Sequence, residues 1–407
     1  MNKMNISKKA GNAILIGTMC SVAYLAVYIA RNTLSAVTPQ IIESGFSAEY
    51  IGTVSSVYFV VYALGQLVNG FIGEKIKARY MISFGLLLAG ICNVLFPTLI
   101  EYPNGVIIVY GMTGFFLAMI YGPMTKVVAE NVAPEFAPRC SLGYELASFL
   151  GSPTAGILAV FLPWQGVFIS SSAVLMLMGV IAFSVFLIFE KKKIVTYGRY
   201  VPKEKGKAAA KDLVKHGIIK FCFIAILTGI VRTSVVFWLP TYISQYLSFS
   251  TQSAAGIFSV VTFIMSLTTF ITIFLYERLR RNMERMILMM FSISATAFLC
   301  VYLFSQPIVN IVLLVVAIMS SMSVSTVMWS IYCPSLRDTG KVSSVVGFLD
   351  FLSYTAAAAA NVIFGNAVSA IGWKNLILVW LGLVCVGVII ALPYKKMVKK
   401  KNEKSTL

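Results

Sequence analysis

Two arginines stand where arginine is costly. Arg31 ends the stretch Tyr24-Leu-Ala-Val-Tyr28-Ile-Ala-Arg31, inside an apolar run from Gly11 to Thr38, and Pro39 follows eight residues later. Arg232 stands in a second apolar run, again eight residues before a proline, with Trp238-Leu-Pro240-Thr-Tyr242 behind it. A charged side chain within a membrane-spanning helix costs about 2.5–3.5 kcal/mol on insertion scales, so it faces a cavity or a partner. Arginine stays charged at physiological pH, and its planar fork matches phosphate or carboxylate oxygens two at a time. Two arginines placed alike therefore point to a site for an anion inside a membrane. The competing role for Arg31 is an anchor at the outer end of its helix, because Gly11–Ala30 nearly spans alone. Against that role, apolar residues continue to Ile42, and Arg232 lies 12 residues beyond Lys220. That is roughly 18 Å along a helix, near a bilayer midplane.

Other side chains surround this pair in the reading. Lys126, after Tyr121-Gly-Pro123, is either a third cationic ligand or a snorkelling lysine, with Glu130 four residues on as a partner. Tyr58, Tyr62, Gln66 and Asn69 fall on one face of a helix and line a pathway or pack on a neighbour. Glu145 and Asp350 are acids well inside apolar runs, open to protonation, to pairing with an arginine, or to bridging helices. The serines from Ser320 to Ser330 fit close helix packing. The seven cysteines are scattered without metal-ligand spacing, and the single histidine, His216, lies in a basic segment. No nucleophile–base pair is discernible, so neither an enzyme nor a cofactor is expected.

The elements that carry these residues are membrane helices. The chain has 407 residues, 58% hydrophobic and only 12% charged, about half the charge of a soluble domain. Apolar runs of about 20 residues, enough to cross a ~30 Å hydrocarbon core, recur throughout. Twelve spans are expected, six on each side of a Lys-rich segment: an N-terminal bundle (1–190), a basic linker (191–216), a C-terminal bundle (217–394) and a basic tail (395–407). Of 33 Lys and Arg, Lys374 alone falls in an outer loop, and Arg31, Lys126 and Arg232 lie within spans. The rest gather on one side, which places both termini in the cytoplasm of a cell, as in a bacterial cytoplasmic membrane. The net charge of +18 thus describes insertion, and nucleic acid is not an expected partner. The halves also repeat each other. Arg31 and Pro39 match Arg232 and Pro240 at an offset of 201, and Phe46-Ser47 matches Phe249-Ser250 at 203. Duplicated six-helix halves hold ligands near the midplane.

The twelve helices, the repeat and the loop Gly70-Phe-Ile-Gly-Glu74-Lys75-Ile-Lys77-Ala-Arg79 resemble the major facilitator superfamily, whose corresponding loop reads G-x-x-x-D-R-x-G-R-R. Tyr24-x3-Tyr28-x2-Arg31, Gly45-Phe46-Ser47 and Arg232-x5-Trp238-x-Pro240-Thr-Tyr242 resemble, more specifically, its organophosphate:phosphate antiporters. The resemblance implies an all-α fold of two pseudo-symmetric six-helix bundles. It also implies that Arg31 and Arg232 bind the phosphoryl group, that Tyr24 and Tyr28 line the pocket, and that Trp238 belongs to it. Ser148 stands where that family has a histidine, Gln66 where it has a lysine, and Phe237 where it has an acid.

The expected activity is alternating-access transport of small organic anions, foremost phosphate esters exchanged for inorganic phosphate, by a chain acting as a monomer in the lipid bilayer. A proton-coupled symporter of carboxylates or sugar acids, motivated by Glu145 and Asp350, is the second reading. A transport-incompetent sensor of sugar phosphates is the third.

Overall fold

With no water in a bilayer core, backbone polar groups must bond within the chain, and an apolar run does so as a helix. The computed structural model describes residues 3–133, 136–197, 214, 216–336 and 342–392. Their principal elements are all helical. In chain order they are α1 (Lys3–Glu43), α2 (Ala48–Lys75), α3 (Ala78–Leu99), α4 (Pro103–Leu117), α5 (Tyr121–Asn131), α6 (Ala137–Phe161) and α7 (Trp164–Lys191). Then come α8 (Ile218–Gln245), α9 (Thr251–Ser266), α10 (Thr268–Arg278), α11 (Met283–Leu303), α12 (Pro307–Val327) and α13 (Val342–Ala391). Ten described stretches are long and apolar enough to cross a membrane. Two features bear on the twelve expected: α6 is a further helix of 25 residues, and α13 is two helices meeting at Gly372, where φ is 75°. Most of the expected linker, from residue 198 onward, and the tail 395–407 lie outside the described residues.

The sequence repeat is visible in the backbone. Gly45 (φ 103°) and Ser248 (φ 61°) both take left-handed conformations, at the same 203-residue offset as the serines that follow them. Those serines then cap the next helices: Ser47 Oγ accepts from Tyr50 N (3.1 Å), and Ser250 Oγ from Ser253 N (3.2 Å). A capping hydroxyl satisfies a helix-start N–H that otherwise has no partner. Pro39 and Pro240 lie inside α1 and α8.

The chain forms two compact units. The first comprises Met1–Glu204, Val236–Ser266 and Ala358–Ser369. Its longest seam runs along α1 and α6, where small residues let backbones approach. A Cβ added at Gly17 would lie 3.0 Å from Cys140 Sγ, one at Gly143 would lie 2.7 Å from Ser21 Oγ, and one at Gly151 would run into Tyr28. Contacts of this kind replace the hydrophobic drive that lipid does not supply. Toward the end remote from the N-terminus, segments of α8, α9 and α13 join the same unit by side-chain bonds to backbone. Ser35 Oγ donates to Phe237 O (2.9 Å), Ser56 Oγ to Ala358 O (2.7 Å), Ser259 Oγ to Pro153 O (2.7 Å) and Gln252 Nε2 to Val160 O (2.7 Å). Asn361 Nδ2 donates to Ser55 Oγ (3.1 Å).

At the other end of this unit Arg79 is buried, its guanidinium 4.6 Å from the Tyr80 ring and 5.1 Å from the Phe183 ring. Its Nη1 donates to Glu190 Oε2 at 2.9 Å. Tyr197 Oη donates to Glu190 Oε1 (2.9 Å) and accepts from Arg79 N (3.4 Å). Burial and the bond to Glu190 push the Tyr197 phenol above the usual tyrosine range. These contacts pin the chain that leaves α7.

The second unit comprises Lys205–Val235, Leu267–Ala357 and Ala370–Leu407. Trp380 Nε1 donates to Ser234 Oγ (3.1 Å), and Thr272 Oγ1 to Ser323 Oγ (2.8 Å). After α12 the chain makes a π turn, Met328–Tyr332, and Tyr332 stacks on Phe221 with ring centroids 3.4 Å apart.

Candidate functional site

Arg31 lies well inside a 41-residue helix, so its side chain must find compensation within the protein. It does so among aromatic faces. The guanidinium carbon is 4.8 Å from the Tyr62 ring centroid, 5.3 Å from Tyr28 and 5.5 Å from Phe59. Ring quadrupoles attract the cation and orient its guanidinium plane. Tyr28 precedes Arg31 on α1; Phe59 and Tyr62, three apart on α2, face it from the neighbouring helix. Gln66, one turn beyond Tyr62, donates its Nε2 to Tyr62 Oη (2.9 Å). That bond fills an acceptor site on the phenol and fixes the ring against the arginine.

A second aromatic group adjoins the first through Tyr28. Tyr24 lies 4.9 Å from Tyr28, 5.5 Å from Tyr121 and 6.0 Å from Tyr144, and the last two rings are 6.1 Å apart. Tyr121 arrives on α5, where the helix restarts after turn residues 118–120. Pro123 lacks the N–H that Met119 O would otherwise accept, and this favours the break. Tyr144 lies on the face of α6 that also carries Ser148 and Gly151, and Gly151 abuts Tyr28. Ser148, buried at 5% exposure, thus lies on the face turned toward α1. Lys126 follows Tyr121 by five residues on α5 and is half-buried.

The first unit therefore brings together Tyr24, Tyr28, Arg31, Tyr62 and Gln66. Trp238 is elsewhere in that unit. It is fully buried, with its ring edge 3.4 Å from where a Gly52 Cβ would stand. Arg232 belongs to the second unit and is half-buried on α8. One turn before it, Gly229 packs directly on Ser353 of α13, and Asp350 lies one turn before Ser353, also half-buried. Arg232 and Asp350 thus flank a single helix–helix contact. The Glu145 side chain lies outside the described residues, as do those of Glu74 and Lys75 in the loop after α2. Phe59 and Tyr144 are site neighbours that the motif reading passed over. Their signal was positional: Phe59 is one turn from Tyr62, and Tyr144 one turn from Ser148.

Comparison with known proteins settles the family. The model of the Major Facilitator Superfamily matches residues 20–360. The chain belongs to the Major Facilitator Superfamily. This facilitator is 22% identical over 386 residues to a glycerol-3-phosphate transporter of Bacillus subtilis (strain 168), covering 87% of the chain and 86% of that protein. It is 22% identical over 255 residues to a glucose-6-phosphate exchanger of Bos taurus, about half of each chain (51%). Among solved structures, a bacterial homolog of the human lysosomal transporter Spinster matches with a TM-score of 0.81 at 13% identity, over 93% of this chain and 96% of that one. The structural likeness establishes the facilitator fold. The chain is a multi-pass membrane protein of a transporter superfamily.

Proposed function

We propose that this facilitator transports small organophosphates, of the glycerol-phosphate or sugar-phosphate type, across the cytoplasmic membrane in exchange for inorganic phosphate. The observation that carries the reading is the Arg31 guanidinium held among three aromatic rings deep in an apolar helix. The rings orient such a cation, and a tetrahedral dianion is a partner that its planar fork suits well. The activities of the two relatives, one a glycerol-3-phosphate transporter and the other a glucose-6-phosphate exchanger, point to the same chemistry. Arg232, placed alike in the internal repeat, is the second cationic ligand in this reading. Tyr24, Tyr28, Tyr62 and Ser148 contact the phosphoryl or hydroxyl oxygens, Gln66 steadies Tyr62, and Lys126 adds positive potential along the path. Both termini are cytoplasmic and the transporting species is a monomer. A ligand drives the cycle only by binding one conformation better than another.

Counterflow in proteoliposomes tests this. Vesicles loaded with inorganic phosphate should take up labelled glycerol-3-phosphate or glucose-6-phosphate far faster than unloaded ones. Equal uptake from both would remove the exchange mechanism. The position of Asp350, flanking the same helix contact as Arg232, favours proton-coupled symport as the second reading. Uptake that collapses with a protonophore and survives without internal phosphate would select it.

A further inference from the structure

A cavity of about 450 Å³ lies away from the arginine cage, between the first turns of α1 and the start of α6. Its walls include Ala10, Ile14 and Thr18 from α1 and Phe136, Arg139 and Gly143 from the α6 side. We propose that this groove binds one anionic phospholipid, with the phosphodiester on Arg139 and an acyl chain laid along α1.

The groove is polarised along its length. Cys140 Sγ donates to Ala13 O (3.3 Å), which sets Arg139 level with the first turns of α1. Further along, Gly143 abuts Ser21. The cation therefore stands at the end nearer the N-terminus, where Lys9 is also exposed. From Ala10 to Ser21 the groove runs about 16 Å along the helix, the length of a good part of an acyl chain. Arg139 is exposed, with its guanidinium carbon 5.7 Å from the Phe136 ring centroid, so the charge is held at the mouth.

The surroundings select a lipid over a water-borne solute. Ile14, which lines the groove, is 67% exposed, and Leu15 and Val22 beside it on α1 are each 47% exposed. An acyl chain laid along the groove would cover this apolar surface. The groove thus opens sideways onto apolar surface, with a cation at one end, the complement of a phospholipid whose headgroup is negative. Basic side chains near a membrane surface attract anionic lipid.

Native mass spectrometry of the purified full chain, titrated with phosphatidylglycerol and with phosphatidylcholine of the same acyl composition, tests this. One phosphatidylglycerol should remain bound under activation that strips phosphatidylcholine. Arg139→Gln should lower that preference by about fivefold, and Arg139→Lys should keep most of it. Ala10→Trp, which fills the groove and spares the arginine, should abolish retention of either lipid. Thermal unfolding in phosphatidylcholine alone should match wild type for each variant. Should Arg139→Gln fail to assemble, Ala10→Trp decides the matter. Equal retention of the two lipids by wild type, undiminished phosphatidylglycerol binding in Ala10→Trp, or displacement by millimolar inorganic phosphate would each overturn the proposal, the last by giving the cavity to solute.

Discussion

At Arg31 the charge and the geometry of its fork can be separated by substitution. Arg31→Lys keeps the charge and loses bidentate contact, whereas Arg31→Gln loses both. If the side chain grips a phosphoryl group, either change should weaken binding by about 1.5–3 kcal/mol, roughly ten- to a hundred-fold, read as a smaller ligand-induced thermal shift. Insertion should survive, because removing an intramembrane charge relieves a cost. Normal transport by well-folded Arg31→Gln protein would make Arg31 an anchor and remove it from the site. The cage can be tested apart from the arginine. Tyr62→Leu deletes a ring 4.8 Å from the guanidinium and should cost about 0.5–2 kcal/mol of ligand binding. Tyr62→Phe keeps the ring and loses the hydroxyl that accepts from Gln66 and reaches the ligand, so it reads the hydroxyl's share of that range apart from the ring's. An equal loss from both would place the effect in the hydroxyl. Motif spacing alone marked Arg31, Tyr28 and Tyr62, because charge and phenol are conspicuous in an apolar run. Phe59 was not legible, since a phenylalanine in a membrane helix looks the same whether it faces lipid, core or cation.

Close approach of α1 and α6 positions the aromatic group, and Gly151 permits it where Tyr28 crosses. Gly151→Val would force α1 outward; overpacking of this kind costs about 1–3 kcal/mol. The melting temperature in detergent should drop, and ligand binding should weaken with it. The control is Gly382→Ala, at a position with open space around it. There the added methyl should be neutral or stabilise by up to about 1 kcal/mol through helix propensity. An unchanged melting temperature for Gly151→Val would show that the contact with Tyr28 does not set the approach of α1 and α6. The helices themselves were legible as apolar runs, because a bilayer leaves the backbone little choice. The break before α5 was not read from the apolar run, although Pro123 marks it. The interruption at Leu267 between α9 and α10, and the π turn Met328–Tyr332, were not read either. No proline or glycine marks Leu267, so tertiary packing decides it, whereas Pro334, which has no N–H for Ser330 O, stands just beyond the π turn.

In the proposed transport cycle, the seam in the first unit parts and re-forms. Ser55 and Asn361 face each other across it, joined at 3.1 Å. The pair Ser55→Cys with Asn361→Cys, bridged by oxidation or a short thiol linker, should stop counterflow, and reduction of the disulfide should restore it. Undiminished flux through the bridged protein would show that this seam stays shut during transport. The internal repeat, read from arginines, prolines and capping serines, reappears as matched backbone turns. The seam itself was beyond reading from sequence, because its donors are ordinary serines and amides and most of its acceptors are backbone carbonyls. That choice of partners bears on the tempo of the cycle. A serine hydroxyl pulled from a neighbour's carbonyl can swing back to the carbonyl of its own helix, as Thr33 and Thr38 already do to Ile29 O and Leu34 O. Phe237, Ala358 and Pro153 each lie four residues before a non-proline helical residue, so their carbonyls keep a helical N–H, whereas Val236 O, which Ser35 also reaches at 3.2 Å, faces Pro240 and has none. Each serine parting from a carbonyl that keeps its N–H therefore forfeits about 1 kcal/mol. A zipper of this kind should run at nearly the same speed in fresh water and in brine.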